Sequence, residues 1–219
     1  MFTGLIETLG TIQSIDRRGS SILLGIRFDL DQFDVCDGGS VAVDGICLTV
    51  ERRQGLIFYF SAVLETLKRT TLSDCAVGRR VNLERALQLS DRLDGHLVLG
   101  HVDGLGSIIG DVDVNGSILR TISVPIELQP FMAQKGSVAI DGISLTIAKS
   151  TDSTITVSII PKTLQKTNLF FKRSGDLVNL ECDVVARYLY RFMNFNGAAK
   201  SSSVSEPESL INKLERFGF

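Results

Sequence analysis

Two short stretches hold reactive side chains in otherwise apolar surroundings. Val41-Ala-Val-Asp-Gly-Ile-Cys-Leu-Thr-Val50 presents Asp44, Cys47 and Thr49. Val138-Ala-Ile-Asp-Gly-Ile-Ser-Leu-Thr-Ile147 presents Asp141, Ser144 and Thr146. The change of chemical type between them is Cys47 against Ser144, a thiol against a hydroxyl, which differ in pKa and nucleophilicity. A third stretch, Gly95-His96-Leu-Val-Leu-Gly100-His101-Val-Asp103, adds two imidazoles. A purely structural reading stays open: Asp-Gly turns, a small core cysteine, strand threonines and satisfied histidines. A two-histidine metal site is disfavoured, because no third ligand has suitable spacing. No Gly-rich nucleotide motif, P-loop or serine-nucleophile elbow is present.

These residues sit in an internal repeat. The two ten-residue blocks lie 97 positions apart and are identical at seven positions. Ser61-Ala-Val-Leu-Glu-Thr-Leu67 returns as Ser158-Ile-Ile-Pro-Lys-Thr-Leu164, and Gly78-Arg-Arg-Val-Asn-Leu-Glu84 as Gly175-Asp-Leu-Val-Asn-Leu-Glu181, both at the same offset. Gly4, Glu7 and Gly10 match Gly100, Asp103 and Gly106 at an offset of 96. Four ordered matches indicate a duplicated domain rather than a solenoid, which needs three or more short repeats. Each copy reads as about six short strands separated by Gly, Asp and Asn turns, which suits a closed Greek-key barrel. Predicted strands in the first copy are 22–28, 41–43, 56–61 and 81–83. Residues 67–72 and 164–169 read as helical turns. Asp44-Gly45 and Asp141-Gly142 are hairpin-turn signals. Residues 181–194 and 206–217 have helical character; Leu210, Ile211, Leu214 and Phe217 form an apolar face that needs a partner. The expected organisation is one barrel over 1–95, a second over 96–186 and a helical tail over 187–219.

Hydrophobic residues make up 44% and charged residues 22% of the 219-residue chain, and the formal net charge is −2. With the basic residues scattered, nothing suggests nucleic acid or an anionic membrane. Glu7 interrupts any signal-peptide core, and no apolar run nears the roughly 20 residues of a membrane span. The four cysteines show no paired spacing and read as reduced thiols of a cytoplasmic protein.

Met1-Phe-Thr-Gly4, Asp44-Gly-Ile-Cys-Leu-Thr49, Glu65-Thr-Leu67, Gly95-His96, Gly100-His-Val-Asp-Gly104, Asp141-Gly-Ile-Ser-Leu-Thr146 and Asn179-Leu-Glu-Cys-Asp183 together resemble the riboflavin synthase family over about residues 1–190. The resemblance implies a mainly β fold: two tandem six-stranded Greek-key β-barrels and a C-terminal α-helical tail. It implies a homotrimer whose active sites lie between subunits. The implied reaction is a dismutation of two 6,7-dimethyl-8-ribityllumazine molecules, with four carbons passing from one to the other and no cofactor or metal. The products are riboflavin and 5-amino-6-(D-ribitylamino)uracil.

By position, the resemblance gives the first pocket Gly4, Leu5, Ile6, Cys47, Leu48, Thr49, Ser61, Ala62, Val63, Leu64, Glu65 and Thr66. It gives the second Gly100, His101, Val102, Lys135, Ser144, Leu145, Thr146, Ser158, Ile159, Ile160, Pro161, Lys162 and Thr163. Chemical roles fall to Ser144, His101, Cys47, Thr146 and Asp183. Ser144 and His101 are expected to assist proton transfer or water addition at one ring and Cys47 at the other, with Asp183 positioning them. The competing reading is a non-catalytic lumazine or flavin carrier of the same fold. A flavin-binding reductase barrel is weaker, since its Arg-x-Tyr-Ser/Thr motif and nucleotide domain are missing.

Overall fold

The computed structural model describes residues 1–29 and 34–198. The first barrel comprises β1 (Thr8–Arg18), β2 (Ser21–Phe28), β3 (Ser40–Val43), β4 (Ile46–Gln54), β5 (Ile57–Val63) and β6 (Arg80–Arg85). Its strands close in the order β1-β2-β5-β4-β3-β6. The second barrel repeats this with β7 (Gly104–Val114), β8 (Ser117–Ser123), β9 (Ser137–Ile140), β10 (Ile143–Ser150), β11 (Thr154–Ile159) and β12 (Leu177–Cys182), again closed. Both are the expected six-stranded antiparallel barrels.

Alternation along the strands fills the two interiors. On β5, Phe58, Phe60 and Ala62 are buried while Tyr59 and Ser61 lie on the outer side. Phe28 stacks on Phe58 with ring centroids 4.2 Å apart. On β10 and β11, Leu145, Ile147, Ile155 and Val157 point inward. Each fully buried side chain of this size contributes about 1.5–3 kcal/mol by leaving water. The inward set leaves Cys47, Thr49, Ser144 and Thr146 on the outer side, since side chains alternate with a period of two.

The strands expected at 22–28, 41–43, 56–61 and 81–83 form within a residue or two. The helical turns begin earlier than expected, as α1 (Leu64–Arg69) and α2 (Pro161–Lys166). Each is followed by a short 3₁₀ turn, Thr71–Asp74 and Asn168–Phe170. The expected helix from 181 is corrected. Glu181 and Cys182 finish strand β12, and α3 (Val184–Ala198) starts beyond them. The Asp183 carboxylate accepts the Val185 backbone N–H at 2.9 Å, which caps the first turn. On α3, Tyr188, Leu189, Phe192 and Met193 are exposed. The second tail helix expected at 206–217, with Leu210, Ile211, Leu214 and Phe217, lies outside the described residues. Among the described residues no helix is long and apolar enough to cross a membrane.

The barrels meet along a buried polar seam. Asp44 and Gly45 have φ of 47° and 78°, and Asp141 and Gly142 have 47° and 79°, as a type I′ hairpin turn requires. The two turns touch: a Cβ on Gly45 would stand 2.5 Å from the Gly142 nitrogen. Asn168 donates from one amide nitrogen to both Asp44 Oδ1 (2.8 Å) and Asp141 Oδ2 (2.9 Å). Asn82 and Asn179 each donate across the seam to a turn carbonyl, of Asp141 and Asp44 respectively. Arg79 pairs with Asp44 and Lys172 with Asp141.

Candidate functional site

The candidate residues lie on two exposed walls, one per barrel. β4 and β5 present Cys47, Thr49, Ser61 and Val63; β10, β11 and the residue after it present Ser144, Thr146, Ser158 and Ile160. Leu48, Ala62, Leu145 and Ile159 are buried between these positions and hold the walls from inside. Leu64, Glu65 and Thr66 lie on α1, and Pro161, Lys162 and Thr163 on α2, closing one end of each wall. Glu65 is tied to Arg69 one helical turn on, which lowers its pKa through that hydrogen bond.

The structure brings candidate residues of the two pockets into contact. The segment leading into each barrel packs on the other barrel. The Ser144 backbone N–H donates to the Gly4 carbonyl at 2.8 Å, and Ile6 packs against the second core. The Cys47 backbone N–H donates to the Gly100 carbonyl at 2.9 Å, and Val102 packs against the first core. Gly4 therefore stands beside Ser144, and Gly100 beside Cys47. Glycine makes this exchange possible. Gly4 (φ 77°) and Gly100 (φ 79°) are left-handed, and a Cβ on Gly4 would stand 2.6 Å from that of Ser144.

Two buried glutamates fix these segments. Glu84 accepts from the backbone N–H of Thr3 (2.6 Å) and Gly4 (3.0 Å). Glu181 accepts from Leu99 (2.6 Å), Gly100 (3.0 Å) and His101 (3.1 Å). Burial raises both carboxyl pKa values, against the lowering effect of these N–H donors. The repeated Asn-Leu-Glu triplet was their visible signal, since a charged residue recurs inside a buried strand.

His96 is the residue the sequence reading left without a role. Its Nδ1 lies 2.7 Å from Ser144 Oγ, and its Nε2 is buried without a hydrogen-bond partner among the described residues. Burial lowers the His96 pKa, which favours the neutral ring, and the nearby Asp183 charge opposes that shift. A neutral imidazole can accept the serine proton, which activates a hydroxyl as base or nucleophile. His101, expected to serve here, is exposed and is held through its backbone. Cys47 has no comparable arrangement: it packs against the cluster of Phe2, Ala42, Val98 and Ala139. Lys135 has φ 67° where the duplicated position is Gly38. A non-glycine residue there costs of order 1 kcal/mol, which points to a use for its side chain. A cavity of about 570 Å³ lies in the seam beside Thr71, Arg79, Asn168 and Lys172. None of the candidate residues lines it.

The profile of the lumazine binding domain matches twice, over residues 3–86 and 99–183. The chain is 40% identical over 194 residues to riboflavin synthase of Bacillus subtilis (strain 168), covering 89% of this chain and 90% of the relative. It is 40% identical over 223 residues to riboflavin synthase of Photobacterium leiognathi, covering 100% and 99%. Among solved structures it is similar to LumP complexed with riboflavin, with TM-score 0.78 and 26% identity over 83% of this chain and 99% of that one. LumP complexed with 6,7-dimethyl-8-(1'-D-ribityl) lumazine superposes with TM-score 0.75. Two matched domains and full-length identity at this level place the chain in the riboflavin synthase family of enzymes with duplicated lumazine-binding domains.

Proposed function

We propose that this protein is a riboflavin synthase acting on two molecules of 6,7-dimethyl-8-ribityllumazine. One gives four carbons to the other, yielding riboflavin and 5-amino-6-(D-ribitylamino)uracil, the last step in making riboflavin. The observation that carries the reading is the pair of related but unequal walls. Two identical substrates call for two similar sites, and a transfer from one to the other calls for different chemistry at each. Holding both rings together replaces a rare encounter, which is worth effective molarities of about 10⁵–10⁸ M.

The catalytic work of our proposal falls first to Ser144 and His96, with Gly4, Leu5, Ile6 and Thr146 around them. The C7 methyl group of the lumazine is acidic because its carbanion spreads into the ring. Ser144, with its proton passed toward His96, serves as base or as carrier of water to the ring. Asp183 biases His96 electrostatically. Cys47 and Thr49, with His101 and Val102, hold the other ring. Lys135 supplies a cation to the ligand. We assign assembly to residues 187–219: three tails bring the first wall of one chain to the second wall of its neighbour as a homotrimer. The exposed apolar side chains of α3 support this, because such a stripe requires burial. We place the enzyme in the cytoplasm, in keeping with four free thiols.

The likeness to LumP favours a second reading, a carrier that binds lumazine without turnover. Incubation with the lumazine alone separates them. Synthesis gives one riboflavin per two lumazines, with the same yield in the presence of a chelator. An unchanged bound spectrum over hours identifies a carrier.

A further inference from the structure

We propose that Glu51 binds the polyhydroxylated side chain of the ligand on the Cys47 wall; this rests on the lumazine-binding reading above. β4 has a bulge between Val50 and Arg52, and β10 has one between Ile147 and Lys149. The extra residue is Glu51 in the first barrel and Ala148 in the second. A bulge redirects a side chain and is common beside active sites. Here duplication has kept the bulge and changed what it presents.

Glu51 is exposed, as is Thr49 two residues earlier, and its carboxylate accepts a hydrogen bond from the Ser61 hydroxyl on β5. The corresponding positions of the second wall are Ala148 and Ser158, so that wall has the hydroxyl without the carboxylate. Because the Ser61 proton is committed to Glu51, the Ser61 oxygen and the remaining carboxylate lone pairs offer only acceptors. Hydroxyl groups of a polyol are donors that match them, whereas ring carbonyls are repelled. Distance fits the same division. Four residues separate Cys47 from Glu51, roughly 13 Å of strand. A fused two-ring system against Cys47 and Thr49, continued by an extended five-carbon chain, covers a span of that order. Glu51 then makes the first wall the stricter of the two for the polyol.

Calorimetric titration of the full chain and of Glu51→Ala with riboflavin and with lumiflavin tests this. Lumiflavin has the same ring with a methyl group in place of the polyol. At one of the two sites per chain, Glu51→Ala is expected to weaken riboflavin about ten- to a hundredfold, the size of a charge-assisted hydrogen bond, and to leave lumiflavin unchanged. Glu51→Gln, which keeps one acceptor, is expected to fall between. Equal weakening of both ligands, or of neither, overturns the assignment while leaving lumazine binding intact. If the unaltered protein binds neither flavin, the lumazine-binding reading itself fails and Glu51 loses its role with it.

Discussion

The two outer walls start from the same strands, turns and bulges yet present different chemistry. On the second wall a hydroxyl, Ser144, stands 2.7 Å from a buried imidazole, that of His96. On the first, a thiol, Cys47, lies against an apolar cluster. An alcohol needs a partner base to act, while a thiol is intrinsically more acidic and more nucleophilic. The comparison teaches how duplication can keep a frame and diversify what it presents. The frame is kept, and a few outward side chains are changed: Cys47 against Ser144, Glu51 against Ala148, Glu65 against Lys162, Gly38 against Lys135.

The largest effect is expected where the hydroxyl depends on its base. Ser144→Ala and His96→Ala should each slow turnover by about 10²–10⁴-fold, the usual worth of general acid–base catalysis, while ligand binding stays measurable. The pH dependence follows from His96. Because burial lowers its pKa, the acid limb of kcat/KM should fall below the usual histidine value of about 6.5. An acid limb above that value would remove His96 from the role. Next comes Cys47→Ala, expected to slow turnover by well over tenfold, yet less than Ser144→Ala, since the thiol acts without an imidazole. If the two substitutions have equal effects, the walls are chemically equivalent and the contrast fails.

A smaller contrast lies in the seam. Asn168 bridges both turn aspartates, whereas Thr71 occupies its duplicated position. Asn168→Ala strands several buried groups and should destabilise the protein by about 3 kcal/mol in chemical denaturation, against about 1 for Thr71→Ala. The smallest effect is a slope. Burial, and then the neighbouring Asp141, raise the Asp44 pKa from 3.8 to about 6. A carboxyl raised on folding adds stability below its unfolded value that is lost as pH rises through the folded one. The Asp44 contribution should therefore decline between pH 4 and 6, and Asp44→Asn should flatten that part of the stability profile. An unchanged slope would show that Asp44 does not titrate in that range.

Much of this was legible in the sequence because repetition exposes it. Seven identities in ten between the Cys47 and Ser144 blocks marked the two equivalent stretches, while the outward direction of their side chains emerged only with the barrels. The Asp-Gly pairs gave their turns correctly. Three things were not legible. Local pattern could not show that Gly4 crosses to Ser144 and Gly100 to Cys47, because the exchange is a tertiary contact between segments more than a hundred and more than fifty residues apart. His96 could not be preferred over His101, since both follow glycine and only burial separates them. The helix expected from Glu181 lost to the β12 ladder, where that carboxylate holds three backbone N–H groups.

The central claim is that a first wall and a second wall from different chains act together. Unfolding Ser144→Ala and Cys47→Ala proteins together and refolding them as a mixture tests it directly. Each variant keeps one intact wall. Random assembly into trimers should then pair intact walls at about one site in four and restore roughly a quarter of wild-type riboflavin formation from two nearly inactive proteins. Activity that stays at the level of the separate variants would contradict a site shared between chains.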